Sequence, residues 1–237
     1  MKILHTSDWH LGQKFLNNTR LYENEQALNW LLQVIDNEQI DVLIVAGDVF
    51  DTMNPPNYAR TLYYNFLTKL EKTHCRHTII IGGNHDFLLE KNPSIFRALL
   101  EEYPGLIYLE NEATTIEGIK IWGSPVTPFF FNWAFNEQRG EAIRKFWKAI
   151  PDDVDILVTH GPPLGYGDRT ERGELVGCKD LLDIVKEIKP KYHTFGHIHE
   201  GYGLYENDAT TFINASIVNV RYETVNQPVS IDFIKNY

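Results

Sequence analysis

Residues 42–51, VLIVAGDVFD, decide the fold: five apolar residues run into a glycine and an acid, and a second acid follows three positions on. An apolar run of that length, closed by glycine, reads as a strand buried on both faces. Asp48 therefore stands where the strand ends. Four other stretches repeat the design. Residues 2–7 (KILHTS) lead to Asp8-Trp9-His10, and residues 78–81 (TIII) to Gly83-Asn84-His85-Asp86. Ile156–Thr159 (ILVT) leads to His160-Gly161, and Tyr192–Phe195 (YHTF) to Gly196-His197-Ile198-His199. Side chains two apart on an extended backbone share a face. Asp8 with His10, and His197 with His199, can thus each aim two donors at one point. Five polar islands after five strands predict a metal site built at strand ends.

The stretches between the islands supply helices. Leu28, Leu31, Leu32 and Ile35 form an apolar stripe at i, i+3, i+4 and i+7 over Leu21–Glu38. Ala59, Leu62, Tyr63, Phe66, Leu67 and Leu70 mark a second helix. This βαβαβ rhythm places sites at the C-terminal ends of parallel strands. A third helix is expected over 94–102, stopped by Pro104 and Gly105. Short strands follow at 106–109, 114–117 and 119–122, with a hairpin turn at Glu117-Gly118. Helices are expected again over 137–149 and Lys179–Ile188, the latter ended by Pro190. Residues 202–233 read as antiparallel strands turning at Asn207-Asp208. No linker, repeat or low-complexity tract interrupts the chain, so residues 1–237 are expected to form one domain of paired sheets covered by helices.

The net charge of −10 argues against extensive contact with duplex DNA, which is usually held by a basic stripe. Only Arg139, Arg144, Lys145 and Lys148 form a mild basic cluster. A small anionic substrate stays open, because bound divalent cations would dominate the local field. No apolar run approaches the roughly 20 residues of a membrane helix, and Met1-Lys2-Ile3-Leu4 lacks a signal peptide's apolar region. Cys75 and Cys178 offer no disulfide framework. A cytoplasmic protein with reduced thiols, and no membrane partner, is the expectation.

Carboxylate and amide oxygens mixed with imidazoles suit Mn, Fe, Zn or Ni better than Cu(I). Seven candidate ligands exceed one tetrahedral zinc but fit two metals that share a carboxylate. Two metals about 3.5–4 Å apart can clamp a phosphoryl group and activate a bridging water. Taken in order, D-x-H, G-D-x-x-D, G-N-H-D, H-G and G-H-x-H resemble the calcineurin-like metallophosphoesterase superfamily, over a span from Asp8 to His199.

That resemblance implies an α/β fold, a four-layer α-β-β-α sandwich of two mixed sheets flanked by helices. It implies two divalent metal ions, Mn foremost, with Fe, Zn, Ni or Mg as alternatives. Asp8, His10 and His199 would bind the first metal, Asn84, His160 and His197 the second, and Asp48 would bridge them. His85 would stand over the phosphate as a catalytic group, with Asp86 orienting it, while Asp51 would be structural. Residues 1–86, especially HTSDWHLGQ and VAGDVFDT, are similar to SbcD-type nucleases. From about Asp86 on, NHDFLLEKNP, IWGSPVTPFF, VTHGPPLGYGD and FGHIHEGYG are similar to small metallophosphoesterase-domain-containing phosphodiesterases. A natural mosaic or an assembled hybrid would each produce such a switch. The expectation is a phosphodiesterase that cleaves small or cyclic nucleotide-like phosphodiesters by attack of a metal-bridging hydroxide. The alternative is an SbcD-like nuclease acting on single strands or ends, with a partner supplying the missing basic surface. A non-catalytic scaffold ranks last, since no ligand position has been lost.

Outside the islands, His5, His74, His77 and His193 read as surface or packing histidines. The aromatic stretch Trp122, Phe129, Phe130, Phe131, Trp133 and Phe135 is expected to pack or to form a homodimer contact, ahead of serving as a wall for a base. The loop 161–168 should border the substrate. Arg169 and Arg172 could equally meet a phosphate or solvent.

Overall fold

The computed structural model describes residues 1–100, 103 and 105–234. One sheet holds β1 (Lys2–Thr6), β2 (Val42–Ala46), β3 (His77–Ile81) and β4 (Leu106–Tyr108), all parallel. The other holds β5 (Glu112–Ile116), β6 (Ile119–Ser124), β7 (Ile156–Thr159), β8 (Tyr192–Phe195), β9 (Gly203–Glu206) and β10 (Thr211–Asn214). Strand β11 (Val229–Asp232) returns to the first sheet, antiparallel to β1. The spatial orders are β11-β1-β2-β3-β4 and β9-β10-β8-β7-β6-β5. In the second sheet β6, β7, β8 and β10 are parallel, and the edges β5 and β9 are antiparallel to their neighbours.

Alternation along the strands builds the layers. Leu43 and Val45 pack with Leu31, Ile35 and Phe66 from α1 (Leu21–Glu38) and α2 (Asn57–Leu70). Val42, Ile44 and Ala46 point the other way, into a layer shared with Ile79, Ile121, Ile156 and Val158 from both sheets. Two short helices, α3 (Phe87–Lys91) and α4 (Pro93–Leu100), follow Asp86. Trp122 and Leu157 face Trp147 of α5 (Glu141–Trp147) and Leu181 and Val185 of α6 (Lys179–Ile188). Three apolar interfaces between four layers make the α-β-β-α sandwich. Each fully buried large aliphatic side chain contributes roughly 1.5–3 kcal/mol. A one-residue slip of a central strand would exchange its two apolar sets, so the middle layer fixes register.

Helices α1 and α6 have the expected bounds, and α6 is closed by Lys189 in the left-handed conformation (φ 51°). The helix expected over 137–149 is shorter, because Gly140 at φ 86° sets its start. The helix expected over 94–102 begins at Pro93, while its predicted end at Glu102 and stop at Pro104 lie outside the described residues. Helix α3 was not expected. Glu117 and Gly118, both at positive φ (49° and 79°), make the β5–β6 hairpin turn in its predicted place.

The ends of β1, β2, β3, β7 and β8 gather on one edge. Beyond β1 and β10 the two sheets meet there, where Ser7 N–H donates to the Ala215 carbonyl and Ile217 N–H to the Ser7 carbonyl. No described helix is long and apolar enough to cross a membrane.

Candidate metal centre

Four of the predicted site residues leave their strands through left-handed backbone: Asp8 at φ 57°, His10 at 44°, Asp48 at 52° and His197 at 67°. Such angles are uncommon outside glycine and persist where the surroundings hold them. Here the loops hold each other. His10 N–H donates to the Asp48 carbonyl (3.0 Å), Asp48 N–H to Asp86 Oδ2 (3.0 Å), and His197 N–H to Asp8 Oδ2 (3.0 Å). Two glycines permit the close approach. A Cβ at Gly83 would overlap the Asp48 carboxylate, and one at Gly196 would overlap Ser7 Oγ and the Asp8 carboxylate.

Among the described residues three groups have their donor atoms within 4.8 Å of one another: Asp8–His10–His199, Asp48–His160–His197, and His10–Asp51–His85, which shares His10 with the first. Asp48 lies between the first two: its Oδ2 is 3.2 Å from His160 Nε2 and 3.8 Å from His10 Nε2. Its other oxygen, Oδ1, accepts the His85 N–H at 2.8 Å. One carboxylate oxygen thus faces both groups while the other is fixed to the backbone.

The donor set suits cations. His160 Nδ1 lies 2.9 Å from the Ala46 carbonyl, which can only accept, so the ring proton sits on Nδ1. His160 Nε2 then turns its lone pair toward Asn84 Oδ1 (2.9 Å) and Asp48 Oδ2 (3.2 Å), two further acceptors. Three acceptor atoms converging on one buried point need a cation or a proton among them. His199 repeats the logic: Nδ1 lies 3.2 Å from the Asn219 carbonyl, leaving Nε2 facing Asp8 Oδ1 at 3.8 Å. A metal-binding histidine typically gives its second N–H to a carbonyl in this way. Both ring nitrogens of His10, by contrast, are buried without a hydrogen-bond partner.

Electrostatics agree. Burial opposes charge on His160, yet Asp48 beside it lifts the imidazole to about 9. Burial works against the ionised Asp8 as well, and the neighbouring His199 holds that carboxyl well below its usual range. Burial, then the charge of His160, pushes His197 down to about 3, so that ring is a neutral donor. Without a metal, a proton on His160 takes the place of the missing charge.

His85 stands at the mouth. Its Nδ1–H donates to the Asp51 main-chain carbonyl at 2.6 Å, which leaves Nε2 free to exchange a proton. The expectation that Asp86 orients His85 does not match its bonds. Asp86 Oδ2 instead accepts the N–H groups of Gly83 (2.8 Å) and Asp48 (3.0 Å), because the turn folds its carboxylate back beneath Asp48. Burial and the charge of Asp48 raise Asp86 to about 7. Asp51, expected to be structural, belongs to the site, with Oδ1 3.2 Å from His10 Nδ1 and 4.0 Å from His85 Nδ1. The second acid of GDVFD was the available signal.

The aromatic stretch divides. Trp122 and Phe135 are buried, whereas Phe129, Phe130 and Phe131 are 52%, 60% and 71% exposed. The Trp133 ring lies along His85, centroids 4.4 Å apart at 31°. Ala134 N–H donates to the Asn84 carbonyl (3.0 Å), tying the aromatic loop to the site. Tyr222, which no motif marks, sets its ring edge-on to His10 (4.8 Å) and His199 (5.5 Å). Arg169 donates within its own turn to the Gly173 carbonyl (3.1 Å). Two members of the basic cluster are engaged by the chain itself: Arg139 donates to the carbonyls of Val176 and Gly177, and Arg144 pairs with Asp180 and Asp183, while Lys145 and Lys148 are exposed. His5 and His193 are buried packing residues, while His74 is exposed and 3.1 Å from Asp41.

Residues 1–201 match the family model described as Calcineurin-like phosphoesterase. The chain is 38% identical over 214 residues to human Metallophosphoesterase domain-containing protein 1, covering 81% of this chain and 64% of that relative. It is 52% identical over 94 residues to the SbcD component of the SbcCD nuclease of Escherichia coli K12, 40% of this chain and 23% of the relative. Both likenesses noted in the sequence thus have a counterpart, and the chain spans less than two thirds of either relative's length. A dimetal phosphatase of Danio rerio shares the fold at a TM-score of 0.63 and 11% identity, covering 94% of this chain and 88% of that one.

Proposed function

The chain belongs to the calcineurin-like phosphoesterase family, and from that premise we propose that it is a dinuclear metal-dependent phosphodiesterase acting on small or cyclic nucleotide-like diesters. Asp8, His10 and His199 would hold one cation and Asn84, His160 and His197 the other, with Asp48 shared between them. Manganese is the first candidate, with Fe, Zn, Ni or Mg as alternatives, because the set mixes hard oxygens with imidazole nitrogens. When bound, the two cations supply Lewis-acid charge on the phosphoryl oxygens and an activated water.

The chain's own residues do the rest. Asp86 fixes the left-handed backbone of Asp48 through its N–H. The Asp51 carbonyl accepts the Nδ1 proton of His85, so that Nε2 faces the reacting oxygen. As the imidazolium, with both nitrogens protonated, His85 gives its Nε2 proton to the leaving oxygen or donates it to a phosphoryl oxygen, and the Nδ1–H tautomer remains. A diester carries a single negative charge, which this arrangement balances without a further basic side chain.

The observation that carries the substrate reading is Trp133 lying along His85. Its ring, beside the group that serves the leaving oxygen, offers a face on which a planar leaving group stacks. On the same loop Phe130 and Phe131 are exposed, with their carbonyls pinned by Asn136 Nδ2 at 3.1 and 3.0 Å.

The test is hydrolysis of bis(p-nitrophenyl) phosphate by the manganese-loaded protein, with Asp48→Asn as the blank. Turnover lost by orders of magnitude in the variant is the expected result. No turnover by wild-type protein carrying two metals would remove the small-diester reading and leave the nuclease alternative, assayed on single-stranded oligonucleotides.

A further inference from the structure

We propose that the turn at 219–223 is a clamp that orients the imidazoles of the first metal group, with Tyr222 as the positioning residue for His10. This rests on the metal-centre reading above and adds to it residues outside the 1–201 family match. Three of the imidazoles at the site have a carbonyl behind them: Ala46 behind His160, Asn219 behind His199 and Asp51 behind His85. His10 has none. Both of its ring nitrogens are buried without a hydrogen bond, and Asp51 Oδ1, 3.2 Å from Nδ1, is not aligned to make one.

What fixes the plane of His10 is ring packing. His85 meets it edge-on at 4.8 Å and 85°, and Tyr222 does so at 4.8 Å and 87°. Tyr222 also meets His199 edge-on at 5.5 Å and 89°. One phenol ring therefore touches two of the three side chains of the first group, and the same turn supplies the carbonyl that orients His199.

The turn is built to hold this ring. Tyr222 lies at φ 58°, a left-handed angle that a bulky residue rarely adopts. Its N–H donates to the Asn219 carbonyl at 2.8 Å, and the Asn219 side-chain oxygen accepts the N–H groups of Arg221 (2.9 Å) and Glu223 (3.1 Å). Asn219 Nδ2 closes the turn on Glu223 Oε2 at 2.8 Å. From the start of α1, the Arg20 guanidinium donates to the carbonyls of Tyr222 and Arg221. Arg20 ties the turn to the helix, the turn holds Tyr222, and Tyr222 holds His10.

The test is metal binding by the full chain, read by calorimetry with manganese and by electron paramagnetic resonance. Wild-type protein should take up two ions with a spin-coupled signal. Tyr222→Ala should weaken one of the two ions about 10- to 100-fold, the usual effect of losing an outer-shell partner, and convert the coupled signal to that of an isolated ion. Tyr222→Phe keeps the ring and should bind both ions as wild type does, a rescue that distinguishes ring packing from the hydroxyl. Arg20→Gln should weaken the same ion, and it decides the matter if Tyr222→Ala does not fold. Two ions bound at wild-type affinity in folded Tyr222→Ala, or in Arg20→Gln where that variant must stand in, would overturn the clamp. Failure of the wild-type protein to bind two ions would overturn the metal-centre reading itself, a separate outcome.

Discussion

Replacing Asp86 separates two roles that a buried acid beside His85, the histidine proposed to serve the leaving oxygen, can play. Asp86 Oδ2 alone accepts the N–H groups of Gly83, at 2.8 Å, and Asp48, at 3.0 Å. The carboxamide oxygen of Asn can take that position, so Asp86→Asn should keep both bonds, the left-handed turn at Asp48, and kcat within about tenfold of wild type. Asp86→Ala leaves two buried donors unpaired at roughly 1–3 kcal/mol each, a loss of about 2–6 kcal/mol. Urea unfolding of the metal-free variants, followed by circular dichroism, measures the stabilities. Turnover of bis(p-nitrophenyl) phosphate by the manganese-loaded proteins measures kcat. Had the carboxylate instead set the tautomer of His85, its conversion to an amide would cost about 10⁴ in kcat, as for the acid of a serine-protease triad. A thousandfold drop in Asp86→Asn carrying two metals would refute the backbone role. So would Asp86→Ala losing less than about 1 kcal/mol.

Three further outcomes follow from the same geometry. His85→Ala should lower kcat by about 10²–10⁴ with two metals still bound, and metal content falling in step with kcat would show that His85 is a ligand. Trp133→Ala should weaken inhibition by adenosine monophosphate about 5- to 150-fold, from the 1–3 kcal/mol of one stacked base, with ribose 5-phosphate unaffected. Equal loss for both inhibitors would remove the stacking role. Burial lowers His5 to about 4 and His193 to about 3. Both are therefore neutral in the fold but take a proton in the unfolded chain below about pH 6.5. Their contribution is complete above that pH and fades as the pH falls toward 4 and then 3. Each should cost roughly 1.4 kcal/mol of stability per pH unit in that window. His193→Gln should make the decline between pH 6.5 and 5 shallower, and an unchanged slope would exclude that assignment.

The layers were legible because the core strands are short apolar runs, each with one set of side chains for either face. Leu43 and Val45 serve one interface while Val42, Ile44 and Ala46 serve another, and the unbroken apolar run VLIVA announces a strand buried on both faces. The helices that were misjudged lie where local geometry overrides composition. Gly140 at φ 86° delays the start of α5, and α3 is a single turn growing out of the GNHD motif, too short for a periodic stripe.

The candidate ligands were legible for a related reason: one acid or imidazole directly after a strand is commonly a cap or a surface group, but five such islands in order point to one site, and the fold brings them together. Their orienting partners were not legible. His160, His199 and His85 are each held by a main-chain carbonyl, from Ala46, Asn219 and Asp51 respectively. Every residue carries a carbonyl, so no residue type marks the position, and only the path of the backbone decides which one faces a ring. Asp86 illustrates the converse. Its side chain advertises itself as a partner for the adjacent His85, but the turn between them directs the carboxylate onto the N–H groups of Gly83 and Asp48. Tyr222 lies 23 residues past His199 in a stretch with no motif, and the chain is brought back toward His10 by the bond of Ile217 to the Ser7 carbonyl just past β1 and by Arg20 on the turn. Chemistry-bearing side chains announce a site, while the shell that aims them is written in chain trajectory.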